Sequence, residues 1–265
     1  MASFDFHMHT DSSPDGHASA FDMCCSAIEK GIKHIALTDH LDFPDYETDD
    51  YANRVIRSWD EMTSVLPRVE GKLIVSRGIE LGSPLLMPEV TDEVLNTHPY
   101  DFVLASLHQL GRNPDFYFVD FTKVDIIRTI DEYFTGLYNI VEWGRFSSLS
   151  HLTYPFRYIP KELAPNDYSR WMDQIDEIFK LLIDKNLSME INTSGLRKAI
   201  GVTSPDMPLI KRYKELGGQM ITIGSDAHYA QDVGADIDTA IEMAKTVGFK
   251  YAAVYKELKP TMISL

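Results

Sequence analysis

The chain has 265 residues, 44% of them hydrophobic, which is enough to bury a large core. Its 40 acidic residues outnumber its 25 basic ones, and the resulting formal net charge of −15 argues against general binding to nucleic acid or to an anionic membrane. An anionic small molecule can still bind where a few cations, from metal ions or arginine, dominate the field inside a pocket.

The cysteines and the first residues indicate the compartment. Cys24 and Cys25 are neighbours in a stretch with helical spacing, where adjacent side chains diverge, so we expect no intramolecular disulfide and a reducing environment. The opening MASFDFHMHT lacks a basic region followed by a long apolar stretch, and no window approaches the roughly 18 apolar residues of a membrane span. We therefore expect a cytoplasmic protein.

Short apolar runs bounded by turn residues predict seven β-strands. In chain order they lie at 4–9, 34–40, 72–81, 100–108, 146–152, 187–195 and 219–228. Stretches with helical spacing separate most of these runs, at 19–31, 123–141, 168–186, 205–217 and 237–248. Alternation of this kind around one core predicts parallel strands, as a doubly wound sheet or as a (β/α) barrel. With no linker or repeat to divide it, the chain should form one domain, 1–265.

Polar or ionisable residues end every predicted strand. In chain order they are His7 and His9, Asp39 and His40, Glu80, His108, His151, Asn192 and Arg197, and Asp226 and His228. The carboxyl ends of barrel strands open onto one rim, whereas a doubly wound sheet spreads them along a line. Convergence of these residues favours an α/β fold of the TIM-like barrel type. Seven strands would give a distorted closure, which segment 250–258 could complete.

The histidines at the strand ends predict a metal site. His7 and His9 project to the same face of a strand and can reach one ion. An isolated pair of this kind is as often two ordinary histidines, but six of the nine histidines stand at strand ends with Asp15, Glu80 and Asp226. Burying so many ionisable groups without metal would be costly. Imidazoles and carboxylates without thiolates suit catalytic zinc, manganese or iron, and the donors suffice for two or three divalent ions.

Six ordered motifs resemble those of the polymerase and histidinol phosphatase (PHP) family. They are HMHT at 7–10, TDH at 38–40, GIE at 78–80, SLH at 106–108, SHL at 150–152 and GSDAH at 224–228. The resemblance spans the chain. It implies a distorted (β/α)7 barrel with a trinuclear centre of zinc, manganese or iron that hydrolyses phosphate esters.

The resemblance also implies which residues bind metal. His7, His9, Asp226 and the bridging Glu80 would hold the first ion. Glu80, His108 and His151 would hold the second, and Asp15, His40 and His228 the third. His17 is the alternative to Asp15, or else a contact for substrate phosphate.

Within the family, the chain most resembles the subgroup of histidinol-phosphate phosphatases of histidine biosynthesis. The features that carry this are the stand-alone length, the long segments 41–71 and 109–145, and EINTSGLRK followed by SDAH. The resemblance implies a small phosphorylated substrate, L-histidinol phosphate, hydrolysed to L-histidinol and phosphate by attack of a hydroxide that bridges metal ions. Other readings remain open: a PHP phosphoesterase for nucleotides or sugar phosphates, an amidohydrolase, and a non-catalytic metal-binding domain.

Three residues are candidates for the chemistry itself. The guanidinium of Arg197 suits bidentate contact with phosphate, and the less favoured alternative is a surface arginine paired with an acid. Asp226 or His228 could protonate the leaving alkoxide, since both would lie near the metal ions.

Other candidates concern substrate binding. Ser13 and His17 could contact phosphate or lie in a solvated loop, and Asp42 could meet a cationic amine or be a solvated acid. The aromatic segment 115–121 could form a wall for an imidazole ring or pack in the core.

Overall fold

A computed structural model describes residues 3–43, 46–165 and 167–265 and reveals a nearly closed barrel of seven parallel strands. Its strand segments are β1 (Phe4–Asp5), β2 (His34–Leu37), β3 (His40–Asp42), β4 (Ile74–Gly82), β5 (Phe102–Ser106), β6 (Ser148–Leu149), β7 (Ser188–Asn192) and β8 (Ile221–Gly224). Both β2 and β3 pair with β4, so together they form one barrel strand.

The barrel closes between its first and last strands. Phe6 N donates a hydrogen bond to Ile223 O at 3.0 Å, and Asp226 N donates to His7 O at 2.8 Å. The remaining strands pair in parallel in the order β1, β2, β4, β5, β6, β7, β8. This confirms the predicted barrel and excludes the doubly wound sheet.

Seven α-helices occur in the described residues. They are α1 (Ala20–Glu29), α2 (Tyr51–Val69), α3 (Pro88–Thr97), α4 (Ile126–Trp143), α5 (Met172–Asp184), α6 (Met207–Glu215) and α7 (Ile237–Thr246). Four of them lie within predicted helical stretches and α4 overlaps its stretch and runs two residues past it, whereas α2 and α3 were not predicted. In α2 the buried residues do have helical spacing, but charged residues separate them. Across the described ranges, no helix has the length and apolar character needed to cross a bilayer.

The C-terminal segment covers the barrel from below and does not extend its wall. It forms a hairpin of β9 (Tyr251–Lys256) and β10 (Lys259–Ser264), and in the described part of the chain these strands pair only with each other. The expectation that 250–258 completes the barrel is therefore wrong, because β1 and β8 already satisfy each other's backbone. Tyr255 anchors the hairpin beneath the strands: its carbonyl accepts from Ser76 Oγ at 2.5 Å, and its hydroxyl donates to Ser147 O at 3.2 Å.

The hairpin and the barrel interior form an apolar floor under the rim. The ring of Phe102 lies between those of Phe6 and Tyr255, with centroid distances of 5.3 and 5.1 Å. All three side chains are buried. Because this floor excludes water from below, the polar residues at the strand ends can be reached only from the rim.

Asp101 joins the hairpin to the barrel. Its Oδ2 accepts from Arg77 N and Lys256 Nζ, both at 2.8 Å, and its Oδ1 accepts from Glu257 N at 3.1 Å. Burial alone would raise the pKa of Asp101, but these donors outweigh it and lower the pKa below its usual value. The carboxylate therefore stabilises the folded state at neutral pH.

We expect Asp101→Ala to lower the free energy of unfolding by about 2–4 kcal/mol at pH 7, because buried donors lose their acceptor. A lowered pKa contributes stability above the unfolded-state value, and this is lost as the pH falls through the folded-state value. In urea titrations, the difference in free energy of unfolding between the wild-type protein and Asp101→Ala should thus become smaller below about pH 4. Asp120→Ala, which breaks the exposed pair with Lys123, is the control and should leave the unfolding midpoint nearly unchanged. If Asp101→Ala lowers the free energy of unfolding no more than Asp120→Ala does, the contacts assigned to Asp101 are wrong.

Candidate metal centre

The nine predicted metal ligands come together at the carboxyl ends of the barrel strands. Each has an imidazole nitrogen or carboxylate oxygen within 3.7 Å of another member: His7, His9, Asp15, His40, Glu80, His108, His151, Asp226 and His228. They come from the ends of β1, β3, β4, β5, β6 and β8 and from the loop after β1. Residues more than two hundred positions apart therefore meet on one rim.

The carboxylate of Glu80 lies at the middle of this cluster, and its Oε2 faces one group of imidazoles. That oxygen lies 3.1 Å from His40 Nδ1, 3.2 Å from His7 Nε2 and 3.4 Å from His9 Nε2. Glu80 is only 1% exposed. Burial would raise its pKa, but His7, His40 and His108 outweigh this and hold the pKa well below the usual value. Glu80 is therefore a buried anion.

The other oxygen of Glu80 faces a second group. Its Oε1 lies 2.9 Å from His151 Nε2 and 3.4 Å from His108 Nε2, and it accepts a hydrogen bond from Ser106 Oγ at 2.6 Å. The two oxygens thus point into two adjacent sets of nitrogen donors. This geometry suits a carboxylate that bridges two ions.

A third set lies toward the outer rim. His228 Nε2 lies 3.1 Å from Asp15 Oδ2, and His40 Nε2 lies 3.7 Å from Asp15 Oδ1. His17 instead stacks its ring on Tyr229, with 4.3 Å between centroids. Of the two alternatives left open by the sequence, the structure brings Asp15 to the cluster and leaves His17 at the cavity wall.

The donor set fits divalent metal ions. Nitrogens that could serve as ligands face each other: His7 Nε2 lies 3.0 Å from His9 Nε2, and His108 Nε2 lies 3.4 Å from His151 Nε2. Burial, the largest effect, lowers the pKa of His9 to about 3 and that of His151 to about 4, so both rings are neutral with a free lone pair. In the described chain, His40 Nδ1 is buried and, although it lies 3.1 Å from Glu80 Oε2, it makes no hydrogen bond of suitable geometry. Cations would complete these contacts.

Three groups of side chains could each hold an ion, with ligand atoms within 4.8 Å of one another. They are His7, His9 and Asp226; His9, His40 and His228; and His40, Glu80 and His108. The groups share members, as expected for adjacent ions with common ligands.

Carboxylates behind the imidazoles fix their orientation. Glu190 Oε1 lies 2.7 Å from His7 Nδ1, and Asp42 Oδ1 lies 2.7 Å from His108 Nδ1. In the metal-free structure the neighbouring carboxylates outweigh burial and raise the pKa of both rings well above the usual value. With metal bound, such contacts would keep the proton on Nδ1 and turn the Nε2 lone pair toward the ion. Glu190 was not predicted, although it alternates with Asn192 along β7 and so shares its inward face.

Two predicted substrate contacts have other partners. Asp42 lines the cavity, but its oxygens are engaged by His108 and by the hydroxyl of Tyr51 at 3.0 Å, so the structure does not support a contact with a substrate amine. Ser13 is buried, donating to Asp39 Oδ1 at 2.9 Å and accepting from His40 N at 3.0 Å. The structure therefore does not support its predicted contact with phosphate, and its hydroxyl braces the loop behind the cluster.

The structure adds a second arginine that sequence reasoning missed. Arg157 is buried at the end of the 3₁₀ turn Tyr154–Arg157, with Nη1 3.2 Å from Asp226 Oδ2 and Nη2 donating to Asn192 Oδ1 at 2.8 Å. It lies six residues beyond His151, outside any predicted strand end, and only the SHL motif nearby could have drawn attention to it.

The predicted Arg197 lies farther out than Arg157. Its Nη2 donates to Ser225 O at 2.6 Å, and its Nη1 lies 3.6 Å from Asp236 Oδ2. It is thus paired with an acid near the surface, as one alternative predicted, and it also lines the cavity, where its contact with phosphate stays a prediction.

A cavity of about 580 Å³ opens above the cluster. Both arginines line it, as do aromatic side chains of the 115–121 segment. Tyr117 and Phe118 line the cavity and are 62% and 72% exposed, whereas Phe116 and Phe121 are buried in the core. Two rings of the segment thus lie in the cavity wall and two pack in the core, and contact with an imidazole ring stays a prediction.

Comparison with known proteins places this site in a family. The PHP domain model matches residues 5–194. Probable histidinol-phosphatases of Clostridium acetobutylicum and Thermotoga maritima are 29% and 30% identical, over 96% and 94% of this chain and 98% and 94% of their own. The crystal structure of the Lactococcus lactis histidinol phosphate phosphatase, complexed with zinc, L-histidinol and phosphate, has a TM-score of 0.84, 25% identity and 98% coverage of both chains. With most of its length matched by that model, the chain belongs to the PHP domain family, as its six motifs predicted.

Proposed function

We propose that this chain is a metal-dependent phosphomonoesterase that hydrolyses L-histidinol phosphate to L-histidinol and phosphate, acting as a single domain. The observation that carries the proposal is the buried Glu80 carboxylate between two sets of imidazoles, at the base of a cavity lined by two arginines. The similarity to a structure with zinc, L-histidinol and phosphate bound supports this substrate.

We propose that three ions, of zinc, manganese or iron, occupy the centre. His7, His9, Asp226 and Glu80 would hold the first, Glu80, His108 and His151 the second, and Asp15, His40 and His228 the third. When bound, such ions supply Lewis acidity toward phosphate oxygens and lower the pKa of water.

The arginines would bind the phosphate group. Arg157 is buried, and the two nitrogens of its guanidinium that pair with Asp226 and Asn192 hold it in place, so it need not reorganise when charge develops. Arg197 at the rim would make the outer contact. We therefore add Arg157 to the predicted Arg197 as a phosphate ligand and expect the buried group to contribute more.

Asp226 is the better of the two candidates for moving the proton. Burial would raise its pKa, but His7, His9, His228 and Arg157 outweigh this and hold it well below the usual value. The carboxylate is therefore ionised and only weakly basic, so it would orient the attacking water by accepting its hydrogen bond and would hold the proton of that water only transiently. A proton taken in this way would pass readily to the far more basic leaving alkoxide. Asp226 and His228 are both proposed metal ligands, so either one would move a proton through the atom that does not bind the ion.

A panel of phosphate monoesters tests the substrate. We expect kcat/KM for L-histidinol phosphate to exceed that for nucleoside monophosphates and sugar phosphates by at least about 100-fold, because a sugar phosphate has no aromatic ring and a nucleotide carries its base a whole ribose away from the phosphate. Phosphate release by the metal-reconstituted protein provides the measurement. Equal turnover across the panel would contradict the histidinol phosphate assignment and leave a general phosphoesterase.

Substitution of the central carboxylate tests the metal centre. We expect Glu80→Gln to lower bound metal and to reduce kcat by about 1,000-fold or more, since a neutral amide cannot bridge two cations. Metal content by mass spectrometry and steady-state kinetics are both measured. Glu132→Gln, at an exposed ion pair on α4, is the matched control. A Glu80→Gln protein with full metal content and near-normal turnover would refute the proposed centre.

The two arginines can be compared directly. We expect Arg157→Met to lower kcat/KM by about 100-fold and to weaken inhibition by inorganic phosphate, with a smaller effect from Arg197→Met. Arg145→Met, which removes an exposed pair with Asp92, controls for loss of a surface arginine, and melting temperatures check folding. Equal effects of Arg157→Met and Arg145→Met on phosphate inhibition would exclude the buried arginine as a phosphate ligand.

A further inference from the structure

Gln109 is the one buried carboxamide in the described chain that lines the cavity and has an unpaired polar atom. It directly follows His108, is 1% exposed, and its Nε2 is buried without a hydrogen-bond partner. Desolvating an amide without pairing it is unfavourable, so natural proteins rarely leave such a group unsatisfied. Its place in the cavity wall suggests that a ligand supplies the missing partner.

The backbone around Gln109 is held in place. Ser83 Oγ lies 3.4 Å from both the backbone nitrogen and the backbone oxygen of Gln109. It also accepts a hydrogen bond from the backbone nitrogen of His108 at 3.2 Å. On the far side, Phe116 N donates to His108 O at 2.9 Å and closes the loop between them. These contacts fix the backbone from which the Gln109 side chain extends, next to the candidate metal ligand His108.

The surroundings of Gln109 indicate the chemistry of its partner. The loop that begins at Gln109 also carries the exposed rings of Tyr117 and Phe118, which offer faces for stacking. The phosphate-binding candidates Arg157 and Arg197 lie on loops after other strands. The organic part of a substrate held by the arginines can thus extend toward the Gln109 loop.

We propose that Gln109 determines specificity by hydrogen bonding to a ring nitrogen of an uncharged azole, the imidazole of the substrate. A carboxamide carries both donors and an acceptor. It can therefore match either tautomer of a neutral imidazole, which has one N–H and one lone-pair nitrogen. The inference rests on the proposed function and deepens it, because it names the group that distinguishes this substrate from other amino-alcohol phosphates.

The test uses two substrates that differ only in the ring. L-Phenylalaninol phosphate keeps the phosphate, the amine and an aromatic ring but lacks ring nitrogens. We expect the wild-type protein to prefer L-histidinol phosphate in kcat/KM and Gln109→Met to reduce that preference by about 10-fold or more, since a site built to hydrogen-bond discriminates strongly. Calorimetric binding of L-histidinol should weaken in parallel.

Melting temperature separates a recognition role from a structural one. Gln109→Met removes an unpaired buried amide at nearly constant volume, so we expect the melting temperature without substrate to stay level or rise. Gln174→Met, on α5 away from the cavity, controls for the substitution itself. If Gln109→Met folds poorly, Gln109→Asn withdraws the amide by one methylene, and the preference should fall in the same way.

The outcomes separate this inference from the proposed function. A wild-type protein that hydrolyses neither ester refutes the proposed function. A wild-type protein that hydrolyses both equally keeps a phosphatase but refutes azole recognition. A preference that survives in Gln109→Met and Gln109→Asn, or a lowered melting temperature with unchanged preference, overturns the role of Gln109 alone.

Discussion

The buried charge of Glu80 is the constraint on which the site depends. A carboxylate removed from water is stable only where positive charge or strong donors surround it, and here imidazole nitrogens face both of its oxygens. Those imidazoles come from four other barrel strands, so the charge is compensated only when these strands assemble around β4. Neutral rings such as His9 and His151 contribute lone pairs and no positive charge, which leaves room for cations as the remaining compensation.

The fold keeps this cluster dry from one side and open from the other. The hairpin β9–β10 covers the lower end of the barrel with Tyr255 and the neighbouring rings of Phe6 and Phe102. The low dielectric of this apolar floor strengthens electrostatic interactions at the rim. Substrate and water enter through the cavity above. Asp101 connects the hairpin at the lower end of the barrel to the strands whose upper ends carry Glu80 and His108.

Strand–helix alternation and the polar strand ends were sufficient to predict the barrel and the meeting of the candidate ligands on its rim, because both follow from local rules, whereas the grouping of these residues around ions came from the family resemblance. Strand alternation and the polar strand ends predicted where His7, Glu80 and His151 would lie. Contacts between loops obey no such period: Arg157 reaches Asp226 from a 3₁₀ turn, and Ser13 turns inward to Asp39, so the sequence predicted neither contact. The hairpin was misassigned because its strand pattern does not reveal that the barrel edge is already paired.

The net charge of −15 also bears on which phosphate esters can enter. At physiological ionic strength, charges farther than about 8 Å from the mouth are largely screened, so the negative surface acts mainly on extended polyanions. Within the cavity, Arg157 and Arg197 act at short range, where the low dielectric of the buried rim strengthens their field. A small ester therefore reaches the cavity against little repulsion, and one whose own amine offsets part of the phosphate charge meets the least. The charge balance that disfavours long polyanions is thus compatible with a compact, partly zwitterionic substrate such as L-histidinol phosphate.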